Sequence, residues 1–232
     1  MNYVTLQYES FLTWGLFILG IIVVTFAQSR INSAYGKYRR KANKLKISGV
    51  EVARKILDAN GLDKVHVVEV SGELSDHYDP SSKVVRLSHD IFHGETIAAI
   101  AVAAHECGHA IQDKEAYKPM RVRSMLVPIV NLITYGGYIV SAISLLAGIT
   151  GYLKVGILMI VATLIFQLVT LPVEFDASKR ALINLEKLNL VDSREKDFAR
   201  DMLASAALTY VASFINSLLN LLRLVIMYRD RD

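Results

Sequence analysis

The chain has 232 residues, of which 53% are hydrophobic and 21% are charged, and its formal net charge is +4. A mean hydropathy of +0.34 is too high for an ordinary soluble domain, while the charged share excludes a chain that lies wholly in lipid. The hydrophobic residues come in blocks, which excludes a disordered or fibrous protein. A single cysteine, Cys107, excludes an intramolecular disulfide framework and a multi-cysteine zinc site.

Four uncharged stretches approach the roughly 20 residues that a helix needs to cross a bilayer. The first, 10–29, has no Lys or Arg before it, so we interpret it as an uncleaved anchor and not as a signal peptide. The uncharged stretches 124–153 and 155–173, separated by Lys154, predict a hairpin of two membrane helices, 124–147 and 152–173, joined by a turn at 148–151. The fourth, 202–222, contains Ser, Thr and Asn, and it either crosses the membrane or packs within the protein.

Charge asymmetry predicts the orientation of these spans. Only Glu9 precedes the first span as a charged residue, whereas seven Lys and Arg residues lie between positions 30 and 46. Because short cytoplasmic flanks accumulate Lys and Arg, we predict an external amino terminus and cytoplasmic regions at 30–123 and 174–201. Juxtamembrane cations next to the lipid bilayer also account for a pI near 9.1, so no nucleic-acid partner is expected.

Two helices are predicted in the first cytoplasmic region. Ser48 and Glu51 have the spacing of a capping box, and the apolar stripe that follows them ends at Asn60. From Thr96 a run of small apolar residues without helix breakers predicts a second helix. The two helices flank a segment of different character.

That segment is rich in β-branched residues at 65–70 and 83–87, with 74–78 between them as a candidate third strand. Turn residues separate the runs. We predict a small antiparallel sheet, so that the region as a whole is α+β.

The sequence His105-Glu106-Cys107-Gly108-His109 follows the second helix pattern. Residues four apart share one helix face, so both histidines are able to hold one zinc ion while Glu106 reaches a water beside it. Zinc lowers the pKa of such a water to about 7, and a carboxylate then takes its proton. Gly108 is expected to leave space beside the metal, and Cys107, about 200° round the helix from His105, is expected to face the core. The alternative is an amphipathic helix with two surface histidines.

A catalytic zinc usually keeps three protein ligands and one open position. Glu174 comes directly after the predicted span 152–173, on the same side of the membrane as the motif, and is our candidate for the third ligand. The alternative is a carboxylate at the membrane interface, and Asp176 is the nearest competing ligand. Two further side chains, His77 and Tyr210, are candidates for substrate or oxyanion contacts, against simpler interpretations as a solvated histidine and an interfacial tyrosine.

Two further histidines that precede the motif, His89 and His93, are expected to be solvated.

Four stretches together resemble the YugP-type membrane zinc metallopeptidases, relatives of the HtpX-type and CAAX-processing membrane proteases: HECGHAIQ, SDHYDPSSKVVRLS, LPVEFDASKRA and LTYVA. The resemblance covers nearly the whole chain. It implies a gluzincin of a bacterial plasma membrane, multi-pass, with its active site facing the cytoplasm. It further implies His105, His109 and Glu174 as ligands of one zinc ion per chain and Glu106 as general base and acid. Substrate is implied to pair with an exposed strand edge, for which we predict 78–87.

The chain departs from the family pattern at one position. Related gluzincins often carry an acidic residue four positions after the ligand glutamate, where this sequence has Ser178. We therefore expect the support of a zinc histidine to come from elsewhere, with Asp176 or Asp113 as candidates.

We predict an α-helical membrane protein with three or four spans and a small α+β, zincin-like catalytic part in the cytoplasm. Its predicted activity is that of a zinc endopeptidase acting on unfolded or membrane-associated proteins. One alternative is a zinc-binding membrane scaffold or adaptor without catalysis. Another is a transporter, which the acidic residue at a membrane boundary would suggest.

Overall fold

The computed structural model describes residues 3–146 and 152–229, and these are mostly helical with one small sheet. The elements in chain order are α1 Tyr3–Tyr38, α2 Gly49–Ala59, β1 His66–Val70, β2 His77–Asp79, β3 Val84–Ser88, α3 His89–Phe92, α4 Ile97–Lys114, α5 Lys118–Leu146, α6 Tyr152–Lys187 and α7 Ser193–Arg229. The chain divides into two compact units. The helical unit comprises Met1–Gln28, Val122–Thr170 and Thr209–Asp232, and the sheet-containing unit comprises Ser29–Arg121 and Leu171–Leu208.

Three of the described helices are long and apolar enough to cross a membrane. They are Phe11–Tyr38 in α1, Lys154–Lys187 in α6 and Ser193–Tyr228 in α7. Phe11 and Phe26 illustrate the surface of α1, since each side chain is more than half exposed. Extended apolar surface of this kind marks a membrane or partner contact. The first and third predicted spans lie in these helices. Stretch 202–222, for which the sequence did not decide between crossing the membrane and packing within the protein, lies in α7.

The second predicted span, 124–147, lies in α5 and is not among the three candidates; its last residue and the predicted turn fall outside the described residues. Within the helical unit, Gly137 of α5 lies close to α6. A Cβ at this glycine would come within 2.3 Å of the Met159 sulfur. Close approach at a small residue is typical of packed membrane helices, and the hairpin of two membrane spans stays a prediction.

The predicted capping box at the start of α2 is confirmed. The Ser48 Oγ accepts a hydrogen bond from the Glu51 N–H, and the Glu51 carboxylate accepts one from the Ser48 N–H at 2.7 Å. The buried face of α2, with Ile56 and Leu57, joins the hydrophobic core of the sheet-containing unit. The helix ends at Ala59 and is capped by Asn60. The next residue, Gly61, has a φ of +64°, which a glycine adopts without strain.

The prediction of an antiparallel sheet is wrong, because the sheet is mixed. Its strand order is β1-β3-β2, with β1 parallel to β3 and β2 antiparallel to β3. The candidate strand at 74–78 corresponds to β2, which begins only at His77. Leu74 has a φ of +56°, which lies outside the extended region. After β1 the chain forms β2 at the opposite edge of the sheet, and β3 then lies between these two strands. Only β2 of the predicted edge segment 78–87 therefore lies at an edge.

Helix α4 forms the centre of the sheet-containing unit. Thr96 caps it by accepting a hydrogen bond from the Ala99 N–H at 3.2 Å, which confirms the helix predicted from this residue. Ile97, Ile100 and Cys107 are fully buried in the core. The expected inward position of Cys107 is therefore confirmed, and the opposite face of α4 is free to carry polar chemistry.

Candidate metal centre

Side chains of α4 and α6 converge on one point in the sheet-containing unit. The Nε2 of His105 lies 3.3 Å from the Oε2 of Glu174, and the Nε2 of His109 lies 3.7 Å from the same oxygen. The three ligand atoms all lie within 4.8 Å of one another. Two ligands of a tetrahedral zinc ion, bound at about 2.0–2.1 Å, are about 3.3–3.4 Å apart. These donors therefore fit one zinc ion.

The centre is largely buried and rich in negative charge. Glu106 and His109 are each 7% exposed, and Glu174 is 3% exposed. Burial lowers the pKa of His109, but the hydrogen bond to Glu174 and the charge of Glu106 outweigh it and raise this pKa above its ordinary value. Two carboxylates thus favour positive charge at His109, and the same field favours a bound divalent cation.

The Nδ1 of His105 lies 3.1 Å from the Oγ of Ser178. A histidine that holds a metal through Nε2 carries its proton on Nδ1, so the serine oxygen is placed to accept that proton's hydrogen bond. The expectation that support would come from elsewhere is wrong at this position, because the short serine side chain itself makes the contact. Ser178 reaches His105 because α6 lies close to α4 at the neighbouring residue, Ala177.

His109 is held in the same way by Gln112, which was not among the predicted site residues. Its Nδ1 lies 3.0 Å from the Oε1 of Gln112, which is completely buried. The Gln112 amide in turn donates to the Val173 carbonyl at 2.8 Å and to the Asp176 carboxylate at 2.9 Å. Asp176, one of the two predicted supports of a zinc histidine, is thus linked to His109 only through Gln112.

Comparison with known proteins agrees with this chemistry. Residues 13–229 match the model of a family described as "Putative neutral zinc metallopeptidase". The chain belongs to this family. It is also 40% identical over 203 residues to the "Putative membrane protease YugP" of Bacillus subtilis (strain 168), an alignment that covers 88% of this chain and 90% of that protein. No solved structure matches the chain.

Membership of a zinc metallopeptidase family implies a zinc ion, and the buried group of His105, His109 and Glu174 is the one that fits it best among the described residues. The predicted competitor, Asp176, is paired with Arg180 and accepts from Gln112. The Asp176 carboxylate thus contacts Arg180 and Gln112. Glu174 remains the third ligand that we predict.

The prediction that Asp113 supports a zinc histidine is wrong. Asp113 accepts a hydrogen bond from the Tyr78 hydroxyl at 2.6 Å and pairs with Lys83. These contacts join the end of α4 to the hairpin of β2 and β3. Burial and the Asp113 carboxylate both raise the pKa of Tyr78, so its hydroxyl stays a donor at neutral pH. Asp113 thereby positions the edge strand and does not touch the metal centre.

The two candidate contacts with substrate stay predictions. His77 lies exposed on β2, the edge strand, with its Nδ1 2.8 Å from the Ser75 carbonyl oxygen. Tyr210 lies on α7 in the helical unit.

Gly108 has a different role from the predicted one. A Cβ at this position would lie 2.5 Å from the Ala177 carbonyl oxygen of α6, so the glycine allows the two helices to approach each other. Ala177 directly precedes Ser178 and lies three residues after Glu174. The missing side chain thus brings the ligand helix within reach of both histidines.

We expect Gly108→Ala to destabilise the protein by about 1–3 kcal/mol, the usual cost of overpacking, and to weaken zinc binding because α6 must shift. Thermal unfolding in detergent and zinc titration measure the two effects. Gly36→Ala is the matched control, since a Cβ at that helical glycine meets nothing within 4 Å. Wild-type stability and zinc affinity in Gly108→Ala would contradict the role assigned to this close approach.

Proposed function

We propose that this chain is a membrane-embedded zinc endopeptidase of the gluzincin type. In this proposal His105, His109 and Glu174 hold one zinc ion, and Glu106 is the general base. The convergence of three ligand atoms from two helices within 4.8 Å carries the proposal. Membership of a zinc metallopeptidase family supports it and favours a hydrolase over a transporter.

When bound, zinc would polarise the scissile carbonyl and lower the pKa of a coordinated water to about 7. Glu106 accepts the proton of the attacking water and returns it to the leaving amine, which is the work of a general base and acid. Its place beside His105 on α4 and its near-complete burial suit this task. Ser178 and Gln112 hold the two imidazoles so that their Nε2 atoms face Glu174.

We further propose that substrates are unfolded or membrane-tethered polypeptides. Glu174 lies on the same helix as the apolar stretch 155–173 and directly follows it, which favours a centre near the bilayer. The edge strand β2 is tied to α4 by the bond between Tyr78 and Asp113, and an extended peptide is able to pair with such an edge. Compact soluble domains offer few extended segments.

A membrane-anchored reporter tests the substrate proposal. The purified protein in detergent is given the reporter in anchored and released forms, each with a folded or a destabilised domain. We expect cleavage in flexible stretches of the anchored, destabilised form and little cleavage of the folded, released form. Preference for the folded, released form would contradict the proposal and would favour a role on soluble substrates.

The orientation in the membrane has its own test. On a Cys107→Ala background, a membrane-impermeant thiol reagent applied to intact cells should label Asn2→Cys and should not label Ser82→Cys. The reason is the excess of Lys and Arg after the first span, which keeps position 82 in the cytoplasm. Permeabilised cells, in which both cysteines should react, serve as the control. External labelling of position 82 would place the proposed active site on the opposite face.

A further inference from the structure

A second histidine pair with the same spacing lies outside the centre described above. His89 begins α3 and His93 caps its end, so the two side chains are four residues apart. Glu69 of β1 contacts both. Its Oε1 lies 2.7 Å from the Nδ1 of His89, and its Oε2 lies 2.9 Å from the Nε2 of His93.

The sheet register explains why these residues meet. Parallel pairing of β1 with β3 places Glu69 opposite Leu87, two residues before His89. Helix α3 starts directly after β3, so its first turn lies beside the outward-facing carboxylate of β1. Residues four apart on a helix lie on one face, and the two imidazole rings have centroids 4.9 Å apart.

The donor chemistry of this group is that of a metal site. Two imidazoles and one carboxylate suit zinc and its neighbours among the divalent transition metals. The three ligand atoms lie within 4.8 Å of one another, the same limit that the buried centre satisfies.

We propose that Glu69, His89 and His93 form a second metal site, on the surface of the sheet-containing unit, that binds zinc. The ligand side chains are exposed by 43%, 73% and 54% respectively, in contrast to the buried ligands of the first centre. Water therefore competes for the metal, and the surface site binds more weakly than the buried one. The site is independent of the proposed peptidase activity.

The position of the surface site gives it a structural effect. From His93 the chain continues through Gly94 to Thr96, the cap of α4. Gly94 is tightly packed, since a Cβ there would lie 2.2 Å from the Asp90 carbonyl oxygen of α3. A metal ion that joins β1 to α3 would therefore restrain the start of the helix that carries the motif. Because it binds the folded state, it would raise the unfolding temperature.

Zinc titration of the full-length protein tests this site. The protein is purified in detergent, freed of metal with a chelator and titrated with zinc chloride in a calorimeter. We expect two equivalents, one tight and one weaker. In His93→Ala the affinity of the weaker equivalent should fall by more than about 100-fold, while the tight equivalent stays. Loss of a residue that only supports a ligand typically costs about 10–100-fold, so a larger loss indicates a ligand. His66→Ala is the control, because His66 is exposed on β1 outside the group.

A single equivalent in wild type, or two unchanged equivalents in His93→Ala, would overturn the second site. If His93→Ala loses both equivalents, Glu69→Gln decides, since it keeps the shape of the side chain. Loss of the weaker equivalent alone in Glu69→Gln supports the site, and two unchanged equivalents overturn it. The tight equivalent reports separately on the buried centre, so failure of one site is distinguishable from failure of the other.

Discussion

Glu106→Gln is expected to lower peptide hydrolysis by about 10²–10⁴-fold, the contribution typical of a positioned general base, and to leave zinc bound. The amide has the size of the carboxylate but does not accept a proton. Glu106 is not among the three grouped ligands, so its replacement should not remove the metal. Cleavage of a quenched fluorescent peptide, measured beside the zinc content of the same preparation, checks both halves of this prediction.

Glu73→Gln is the matched control for this experiment. Glu73 lies on the surface of the same unit, with its side chain 73% exposed, and the same change there should leave hydrolysis unaltered. Equal cleavage by wild type and Glu106→Gln, both with zinc bound, would remove Glu106 from the mechanism. A protein that binds zinc in this way but cleaves nothing would instead be the scaffold or adaptor considered as the alternative.

Glu174→Ala is expected to abolish tight zinc binding and, with it, hydrolysis. The substitution removes a ligand and leaves only two imidazoles at a centre where catalytic zinc usually keeps three protein ligands. Zinc competition against a coloured chelator measures the loss of affinity directly. The protein should stay folded, which circular dichroism of the same samples verifies.

Asp176→Ala is the control, because it makes the same change two residues further along the same helix. Asp176 contacts the centre only through Gln112, so its loss should cost about 10–100-fold in affinity and should not remove the site. Equal zinc retention in Glu174→Ala and wild type would contradict the ligand assignment. Greater loss in Asp176→Ala than in Glu174→Ala would reassign the third ligand to Asp176.

The parts of the structure that local sequence determines were predictable. The cap at Ser48 and the helix that starts after Thr96 follow from residues within one or two turns of each other. The zinc motif itself is local, since His105 and His109 are one helical turn apart. The place of Glu174 beside the two histidines was predictable for a different reason, because the expected length of a membrane span limits where the chain leaves it.

The parts that depend on long-range packing were not predictable. The alternation of apolar residues indicates strands but not their partners, so the parallel pairing of β1 with β3 was missed. Ser178 reaches His105 only because Gly108 admits the backbone of α6, and nothing near Ser178 signals this approach. Gln112 had a signal in the sequence. It follows His109 by three residues, on the same helix face, where a buried amide is able to support the ring.

The most direct test of the central claim is to restore zinc stepwise to the chelated protein while peptide cleavage is recorded. We expect negligible cleavage without metal and a rise that is complete when the first, tight equivalent has bound. Glu106→Gln should bind that equivalent without the rise, and Glu174→Ala should not bind it. Full cleavage by the metal-free protein, or cleavage that does not follow the tight equivalent, would contradict a catalytic zinc held by His105, His109 and Glu174.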